Sequence, residues 1–433
     1  MYFIGMRRER AVVVCFCSLI SLVSFFCASI VKAERNVFSG GVVLRQDYDS
    51  NIDRTYQDRR SEWTTAVSPT FKITSRDPVD VLDFSYAPSV VYSHLTEQKR
   101  LDHHLAVKFD KALGKRLAAT FSDSYVKAED PSSNEENADG IALSDSRGRN
   151  RYWANNCDAG LQYEYGRESF INLSYQHRIL DNTGVDQEDF VKNTPAFSVF
   201  HRFSPQWQTR LDYAFTDGNF DQTDDLRQNS GDLFLYYSQT PTAKFFGHYG
   251  YAETNYDGLQ NDYTKQSVSL GWIRQQSSTL DFSLEGGGVF LNRDNQSGKD
   301  ELFYALSLNQ KIERGVVRFS AKGGVDEQQF NGAADEGVSR YWSLNAAASR
   351  ELRKDIRAAA KCLYREDRYL GQSSEQEKRK FQAEASLSHS FWRWYMISVK
   401  YIYTRQSAEI ITDRYNDNRL FLEFSFNKDF FSW

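Results

Sequence analysis

The sequence is poor in the residues and segments on which several protein classes depend. It has five cysteines, seven histidines and three methionines in 433 residues. Three cysteines fall within the first 33 residues, which leaves Cys157 and Cys362, too far apart in sequence to suggest a disulfide framework. Beyond residue 33 no stretch approaches the roughly 20 apolar residues of a membrane-spanning helix. The sequence therefore excludes a disulfide-stapled domain, and it predicts that any membrane crossing uses strands.

Motifs for catalysis are absent as well. We find no Gly-x-Ser-x-Gly, no His-Glu-x-x-His and no paired-cysteine metal spacing. His103 and His104 follow Asp102 at the start of a predicted strand, where an interface or loop-edge position explains them. His177 and His201 share the parity of apolar neighbours, so neither is placed as a lumen-facing base. We predict a protein that is not an enzyme and has no cofactor or metal.

Charge gives no case for a nucleic-acid partner. After the first 33 residues the chain has 49 basic and 57 acidic residues, so it is mildly acidic. The acidic cluster Glu129, Asp130, Glu135, Glu136 and Asp139 suggests calcium, but it lacks the ordered spacing of a dedicated calcium loop. A solvated outer loop is the better interpretation.

The first 33 residues predict a secretory signal peptide. Arg7, Arg8 and Arg10 precede an apolar run over residues 11–30, and the segment ends in Val31-Lys32-Ala33. Cleavage after Ala33 leaves residues 34–433 as the exported part, with an uncleaved membrane anchor as the alternative. We set lipidation at Cys27 aside, because a bulky residue precedes it where a small one is required.

The exported part alternates apolar and polar residues with the period of two that is typical of strands. The pattern is clearest in four segments, whose apolar faces are Leu82, Phe84, Tyr86, Val90 and Tyr92; Ile171, Leu173 and Tyr175; Leu302, Tyr304, Leu306 and Leu308; and Leu420, Leu422, Phe424 and Phe426. Soluble antiparallel sandwiches alternate in the same way and are the structural alternative. The signal peptide and the alternating lengths of the breaks favour a membrane barrel instead.

The breaks between predicted strands are alternately short and long along the chain. Nine short breaks carry tight-turn residues, namely Arg76-Asp77-Pro78, Gly114-Lys115, Gly166-Arg167, Ser204-Pro205, Pro241-Thr242, Gln276-Ser277-Ser278, Arg314-Gly315, Lys354-Asp355 and Arg393. Longer polar stretches lie between them, including residues 51–59, 130–148, 217–225 and 370–377. The pattern predicts an all-β protein, a transmembrane antiparallel up-and-down β-barrel of about 20 strands, with 18 as the alternative.

The tryptophans support membrane interfaces at the strand ends. Three lie near predicted outer loops and five near inner turns or the C-terminus, in the order Trp63, Trp153 and Trp342, then Trp207, Trp272, Trp392, Trp394 and Trp433. Outer-membrane barrels commonly end on an aromatic residue that the barrel-assembly machinery reads. Lys428 interrupts the last apolar face and Trp433 has the other parity, which predicts a bulge or a frayed end.

Parity also assigns charges of both signs to the lumen, since lipid-facing Arg or Lys at mid-bilayer costs about 2 to 4 kcal/mol. The lumen-lining candidates are Asp83, Lys108, Asp110, Glu164, Arg210, Asp212, Asp281, Glu285, Arg318, Lys322, Arg357, Lys361, Glu384, Lys400 and Glu423. Four aromatic residues share the inward parity, namely Phe200, Phe234, Tyr236 and Phe421. They suit stacking on sugar rings or, equally, packing against a folded-in loop.

Three short motifs resemble a family of β-barrel porins found in bacterial exopolysaccharide and exosortase-associated gene clusters. They are Tyr48-Asp49-Ser50-Asn51-Ile52, Val67-Ser68-Pro69 and Phe84-Ser85-Tyr86. The resemblance continues as a strand-turn pattern over most of residues 34–433. It implies a Gram-negative outer-membrane barrel, surrounded by outer-membrane lipid, that acts in export or assembly of surface polysaccharide. It supplies no catalytic residues.

The function predicted from the sequence is a passive, porin-like channel for polysaccharide that works with a separate periplasmic export partner. Two alternatives stay open. One is a barrel-embedded hydrolase of lipid or peptide, for which His104 is the best candidate base. The other is a structural or adhesive barrel whose outer loops bind partners.

Overall fold

A computed structural model describes residues 35–78, 80–129, 151–183, 188–258, 262–293, 296–327, 338–369 and 377–432. The predicted signal peptide and most of the acidic cluster lie outside these residues. Within them the chain forms strands and one short 3₁₀ turn, Ile411–Asp413. No helix in this part of the chain is long and apolar enough to cross a membrane.

Twenty strands follow one another along the chain. They are β1 (Arg35–Asp49), β2 (Glu62–Arg76), β3 (Val81–Ser93), β4 (Lys99–Ala112), β5 (Leu117–Ala128), β6 (Tyr152–Gly166), β7 (Ser169–Asn182), β8 (Phe190–Arg202), β9 (Trp207–Phe220), β10 (Leu226–Thr240), β11 (Ala243–Tyr256), β12 (Tyr263–Gln275), β13 (Leu280–Arg293), β14 (Gln296–Ile312), β15 (Gly315–Glu327), β16 (Val338–Arg353), β17 (Ile356–Tyr369), β18 (Glu377–Phe391), β19 (Tyr395–Ala408) and β20 (Tyr415–Ser432).

Each strand pairs antiparallel with the strands before and after it, and β1 pairs with β20, so the sheet closes on itself. The predicted up-and-down barrel and its count of 20 strands are confirmed. Closure gives both edges of every strand a partner, which a sheet in hydrocarbon requires because no water is present to hydrogen-bond a free edge.

The strands end where the sequence has tight-turn residues on the inner side, and all nine predicted short breaks coincide with the observed connections. Two predicted outer breaks were too long. Asp217 to Phe220 belong to β9, where Asp217 pairs with Arg227, and Glu377 begins β18. Polar composition does not mark the end of a strand here, because a ladder that continues above the membrane faces water on both sides.

One face of each strand carries exposed apolar side chains. In β19, Ile397, Val399 and Tyr401 are 39 to 43% exposed, while Ile402, on the opposite face, is buried. The outward apolar run from Tyr395 to Tyr403 is about 20 Å tall for a tilted strand, close to the belt of a membrane barrel. A closed barrel with so much apolar surface outside is stable only in lipid. The chain is therefore an outer-membrane β-barrel.

Aromatic pairs edge this belt, as the tryptophan positions predict. Toward the outer loops, the Tyr48 and Trp63 ring centroids are 4.9 Å apart and those of Trp342 and Tyr364 are 4.8 Å apart. At the inner turns, the Trp207 and Tyr237 rings lie at 4.9 Å.

The irregularity predicted for the last strand is present at the seam of the barrel. The β1–β20 register shifts between Phe38 and Ser39, which pair with Phe431 and Asp429, so Phe430 is the extra residue of a bulge. A bulge of one residue exchanges the inner and outer faces for the strand residues that follow it. Lys428 remains on the outer face, where its Nζ lies 4.9 Å from the centroid of the Trp394 ring.

Candidate functional site

The candidate site is the face opposite the apolar belt, which a membrane-spanning barrel turns inward. The fifteen charged candidates alternate with belt residues in their own strands. Lys400, for example, lies between the exposed Val399 and Tyr401, and Arg210 precedes the exposed Leu211. When one strand residue faces lipid, its two neighbours face the inside of the barrel, because successive strand side chains point to opposite sides of the sheet.

Several of these charges are brought together as ion pairs. The pairs are Lys108 Nζ with Asp110 Oδ2 at 3.1 Å, Arg210 Nε with Asp212 Oδ2 at 2.6 Å, and Lys400 Nζ with Glu384 Oε1 at 3.5 Å. Asp83 accepts a hydrogen bond from Thr74 Oγ1 at 2.7 Å and lies 3.9 Å from Lys72 Nζ. Asp281 accepts a longer hydrogen bond from Asn309 Nδ2 at 3.4 Å. Much of the inner charge is thus neutralised locally.

Four candidates form a basic stripe instead. Arg318 and Lys322 lie on β15, and Arg357 and Lys361 lie on β17. Small or amide side chains of β16 lie beside Arg318, Lys322 and Lys361, whereas Glu351 of β16 is opposite Arg357. Lys361 pairs across the β17–β18 ladder with Glu384, which is also the partner of Lys400. This sector of the inner face therefore carries more positive than negative charge. Glu164 and Glu423 lie on other strands, β6 and β20.

Histidine 248 organises an inner network that the sequence analysis missed. Its Nε2 lies 2.8 Å from Asp232 Oδ1, and its Nδ1 lies 3.7 Å from Glu285 Oε1. Ser269 Oγ donates to Glu285 Oε1 at 2.5 Å. Parity would have found Asp232 and His248, since both share a face with Phe234. Ser269 Oγ also lies 3.4 Å from His248 Nδ1, so the network links four side chains of β10 to β13 on the inner face.

Inward aromatic rings lie on two opposite walls of the barrel, and cationic side chains lie close to the rings on both walls. Around Phe421 of β20, Arg419, Lys400 and Arg45 lie 5.0, 5.8 and 6.0 Å from the ring centroid. Across the barrel on β10, Phe234 stacks on His248 at 4.2 Å. The other neighbours of Phe234 are Tyr236 at 6.0 Å and Arg210 at 5.6 Å. Such rings offer flat faces for a sugar and nearby charges for its substituents.

The histidines proposed for a hydrolase do not act together. His103 shares its face with Tyr86, whose hydroxyl lies 2.9 Å from His103 Nδ1, and the two rings stack. His104 belongs to the opposite face of β4 and is opposite Ala87 and Val126 in the ladders. Adjacent strand residues point apart, so the pair cannot share a substrate.

The first outer loop, residues 50–61, is tied to the barrel seam by one of the motifs that carry the family resemblance. The Ser50 amide donates to the Asn418 carbonyl at 3.0 Å, and the Asn418 amide donates to Ser50 Oγ at 2.7 Å. Asn51 Nδ2 donates to the carbonyls of Thr55 and Asn416. Asp53 binds Arg60 through both carboxylate oxygens, which raises the pKa of the Arg60 guanidinium. The motif therefore anchors this loop at the mouth of the barrel.

The inner face is not polar throughout. Near the outer ends of β5 to β8, six inward residues are at most 5% exposed and pack together, namely Val126, Ala128, Tyr152, Ala154, Leu180 and Phe190. Alternation between an apolar and a polar wall thus holds through the belt but not above it, because strand segments beyond the lipid are free to carry apolar residues inward.

The described residues hold no group of three histidine, cysteine, aspartate or glutamate side chains arranged to bind a metal ion. Cys157 and Cys362 are both free thiols.

Comparisons with known proteins agree with the fold and go no further. No protein-family model matches the chain, and no curated protein matches it. The ferric enterobactin receptor of Pseudomonas aeruginosa matches 90% of this chain and 81% of its own at 7% identity and a TM-score of 0.54. OccAB4 of Acinetobacter baumannii matches 92% of this chain and 99% of its own at 10% identity and a TM-score of 0.43. OprD of Pseudomonas aeruginosa matches 93% of this chain and 98% of its own at 9% identity and a TM-score of 0.42.

Proposed function

We propose that the barrel is a passive, porin-like channel of the outer membrane that serves export or assembly of surface polysaccharide. The channel proposal is supported by the face opposite the apolar belt, where the fifteen candidate positions carry charges of both signs. Barrels of 16 to 18 strands already leave an aqueous channel, and this barrel has 20. We propose no chemical step at the inner wall.

Polysaccharide is the cargo that fits this wall best. A sugar chain has many hydroxyls and flat ring faces, and it moves through a pore by exchanging weak contacts. The inner rings around Phe421 and Phe234 provide stacking surfaces on opposite walls. Their cations, together with the basic stripe of β15 and β17, favour chains with acidic sugars. The family resemblance points to the same cargo.

Single-channel recording tests the open pore. We expect the purified barrel to give discrete conductance steps in planar bilayers, with little preference between small cations and anions. Replacing Arg318, Lys322 and Lys361 together by glutamine should move the reversal potential toward cation preference, because these cations attract anions to the wall. Arg405→Gln, on the outer face, is the matched control. A silent wild type that stays silent after deletion of residues 130–148 would contradict an open pore.

Oligosaccharide block tests the cargo. Oligomers of acidic sugars added to one chamber should interrupt the current, and neutral oligomers of equal length should do so less. Phe421→Ala and Phe234→Ala should each weaken the block about three- to tenfold, because each removes a stacking surface. Phe319→Ala is the control, since that ring belongs to the belt and is 38% exposed. Equal block of wild type and both inner variants would remove the case for polysaccharide while leaving the channel intact.

A further inference from the structure

A groove lies at the outer rim of the barrel, on the side that faces the membrane. The belt there ends with Phe381 and Tyr403, whose ring centroids are 6.2 Å apart. The next residues of the same parity toward the outside are Arg379 on β18 and Arg405 on β19. With the loop residue Arg59, they border a cavity of about 570 Å³. The groove therefore begins directly above the lipid-facing aromatic residues.

The groove has more arginines than carboxylates to neutralise them. It is lined by four arginines, Arg59, Arg379, Arg405 and Arg414, and by two glutamates, Glu377 and Glu409. Arg379 is paired with Glu377 and lies 3.3 Å from Glu366, while Arg414 Nε donates to the Ala408 carbonyl at 2.5 Å.

Two of these guanidiniums are available to a ligand. Arg59 and Arg405 are exposed, and neither forms an ion pair with a carboxylate of the described chain. Arg227, an exposed arginine at the outer end of β10, is placed differently, because its Nε lies 3.4 Å from Asp217 Oδ1.

We propose that this groove binds the phosphate group of a glycolipid of the outer leaflet. Arginine matches phosphate with two parallel N–H donors and is the side chain best suited to such an anion. The position of the groove favours a lipid headgroup over a dissolved anion, because acyl chains attached to a bound headgroup would lie along the apolar belt below Tyr403. Tyr56, which is 49% exposed at the groove, offers a further ring beside the sugar of the headgroup.

The proposal does not depend on the channel function, because the groove and the polar wall belong to opposite faces. Arg405 has the parity of Tyr401 and Tyr403, whereas the candidate Lys400 has the other. A lipid bound here would stabilise the rim, where the first outer loop meets β19 and β20.

Native mass spectrometry of the detergent-purified full barrel tests the site with three probes. They are lipopolysaccharide carrying its lipid phosphates, the same lipid after removal of those phosphates, and inorganic phosphate alone. The variant is Arg59→Gln with Arg405→Gln, and Arg227→Gln is the matched control. Heat-modifiable mobility on gels verifies that each variant is folded.

We expect the double variant to bind the phosphorylated lipid at least about tenfold more weakly, and the wild type to lose a similar factor with the dephosphorylated lipid. The control should stay within about twofold of wild type. Equal binding by the double variant, or equal binding of the dephosphorylated lipid, would overturn the proposal. Inorganic phosphate bound as tightly as the lipid would overturn the assignment to a lipid.

Discussion

Gly41→Val is expected to prevent closure of the barrel. Gly41 lies in β1 at the seam with β20, where a Cβ atom would overlap the carbonyl oxygen of Phe426 and lie 3.2 Å from the Asn427 Cα. Backbone atoms cannot rotate away as a side chain does, so the two strands must separate locally. Because β1–β20 is the pairing that removes the last free edge, we expect the folded fraction to fall at least roughly tenfold.

The measurement is the heat-modifiable band on gels, together with the amount of barrel recovered from outer membranes. Gly286→Val is the matched control, because the nearest atom to its Cβ, the Phe303 carbonyl oxygen, is 4.0 Å away. Both changes add the same side chain to a glycine within a strand. Equal assembly of the two variants would show that close packing at the seam does not limit closure.

Arg419→Met is expected to destabilise the mouth of the barrel strongly. The Arg419 and Asp49 side chains are 6% and 8% exposed, and Arg419 Nε lies 3.5 Å from Asp49 Oδ2. Asp417, also buried, lies within hydrogen-bonding reach of Asp49. Loss of the guanidinium leaves two buried carboxylates beside each other, which costs about 3–5 kcal/mol. Denaturant unfolding in lipid vesicles measures the change as a lower midpoint.

Two further variants define the cause. Arg227→Met removes a guanidinium from a pair whose side chains are 72% and 40% exposed, so its effect should stay below about 1 kcal/mol. Adding Asp417→Asn to Arg419→Met should restore part of the lost stability, because one of the two carboxylates is removed. A double variant as unstable as Arg419→Met alone would assign the effect to lost packing against Phe421 rather than to charge.

Most of the fold could be predicted from the sequence, because the signals that specify it are local. Alternation needs only neighbouring residues, and a break such as Ser204-Pro205 needs only its own backbone preferences. These signals were sufficient for the number of strands, the inner turns and the bulge before Trp433. They were weaker at outer ends, where Asp217 and Glu377 proved to be strand residues because polar residues above the membrane suit both strand and loop.

The candidate site was predictable only as a list of positions. Parity selected Arg210 and Asp212, but it said nothing about which carboxylate each cation would meet. Parity would have placed His248 on the inner face, but its partners, Asp232 and Glu285, are 16 and 37 positions away along the chain, so their contact with it could not be predicted. Cross-strand partners depend on register, and register is a property of paired strands rather than of either strand alone.

By itself the sequence determined that this protein is an outer-membrane barrel with an apolar outside and charged positions inside. Strand period and turn chemistry act over a few residues, so they are written into the chain directly. Only the tertiary structure decided where Arg59 of the first loop meets Arg405 of β19, how Phe421 acquires three cations, and that β1 closes on β20. Arg59 and Arg405, Arg45 and Phe421, and the strands β1 and β20 are hundreds of positions apart in the sequence, and barrel closure alone brings them within reach of one another.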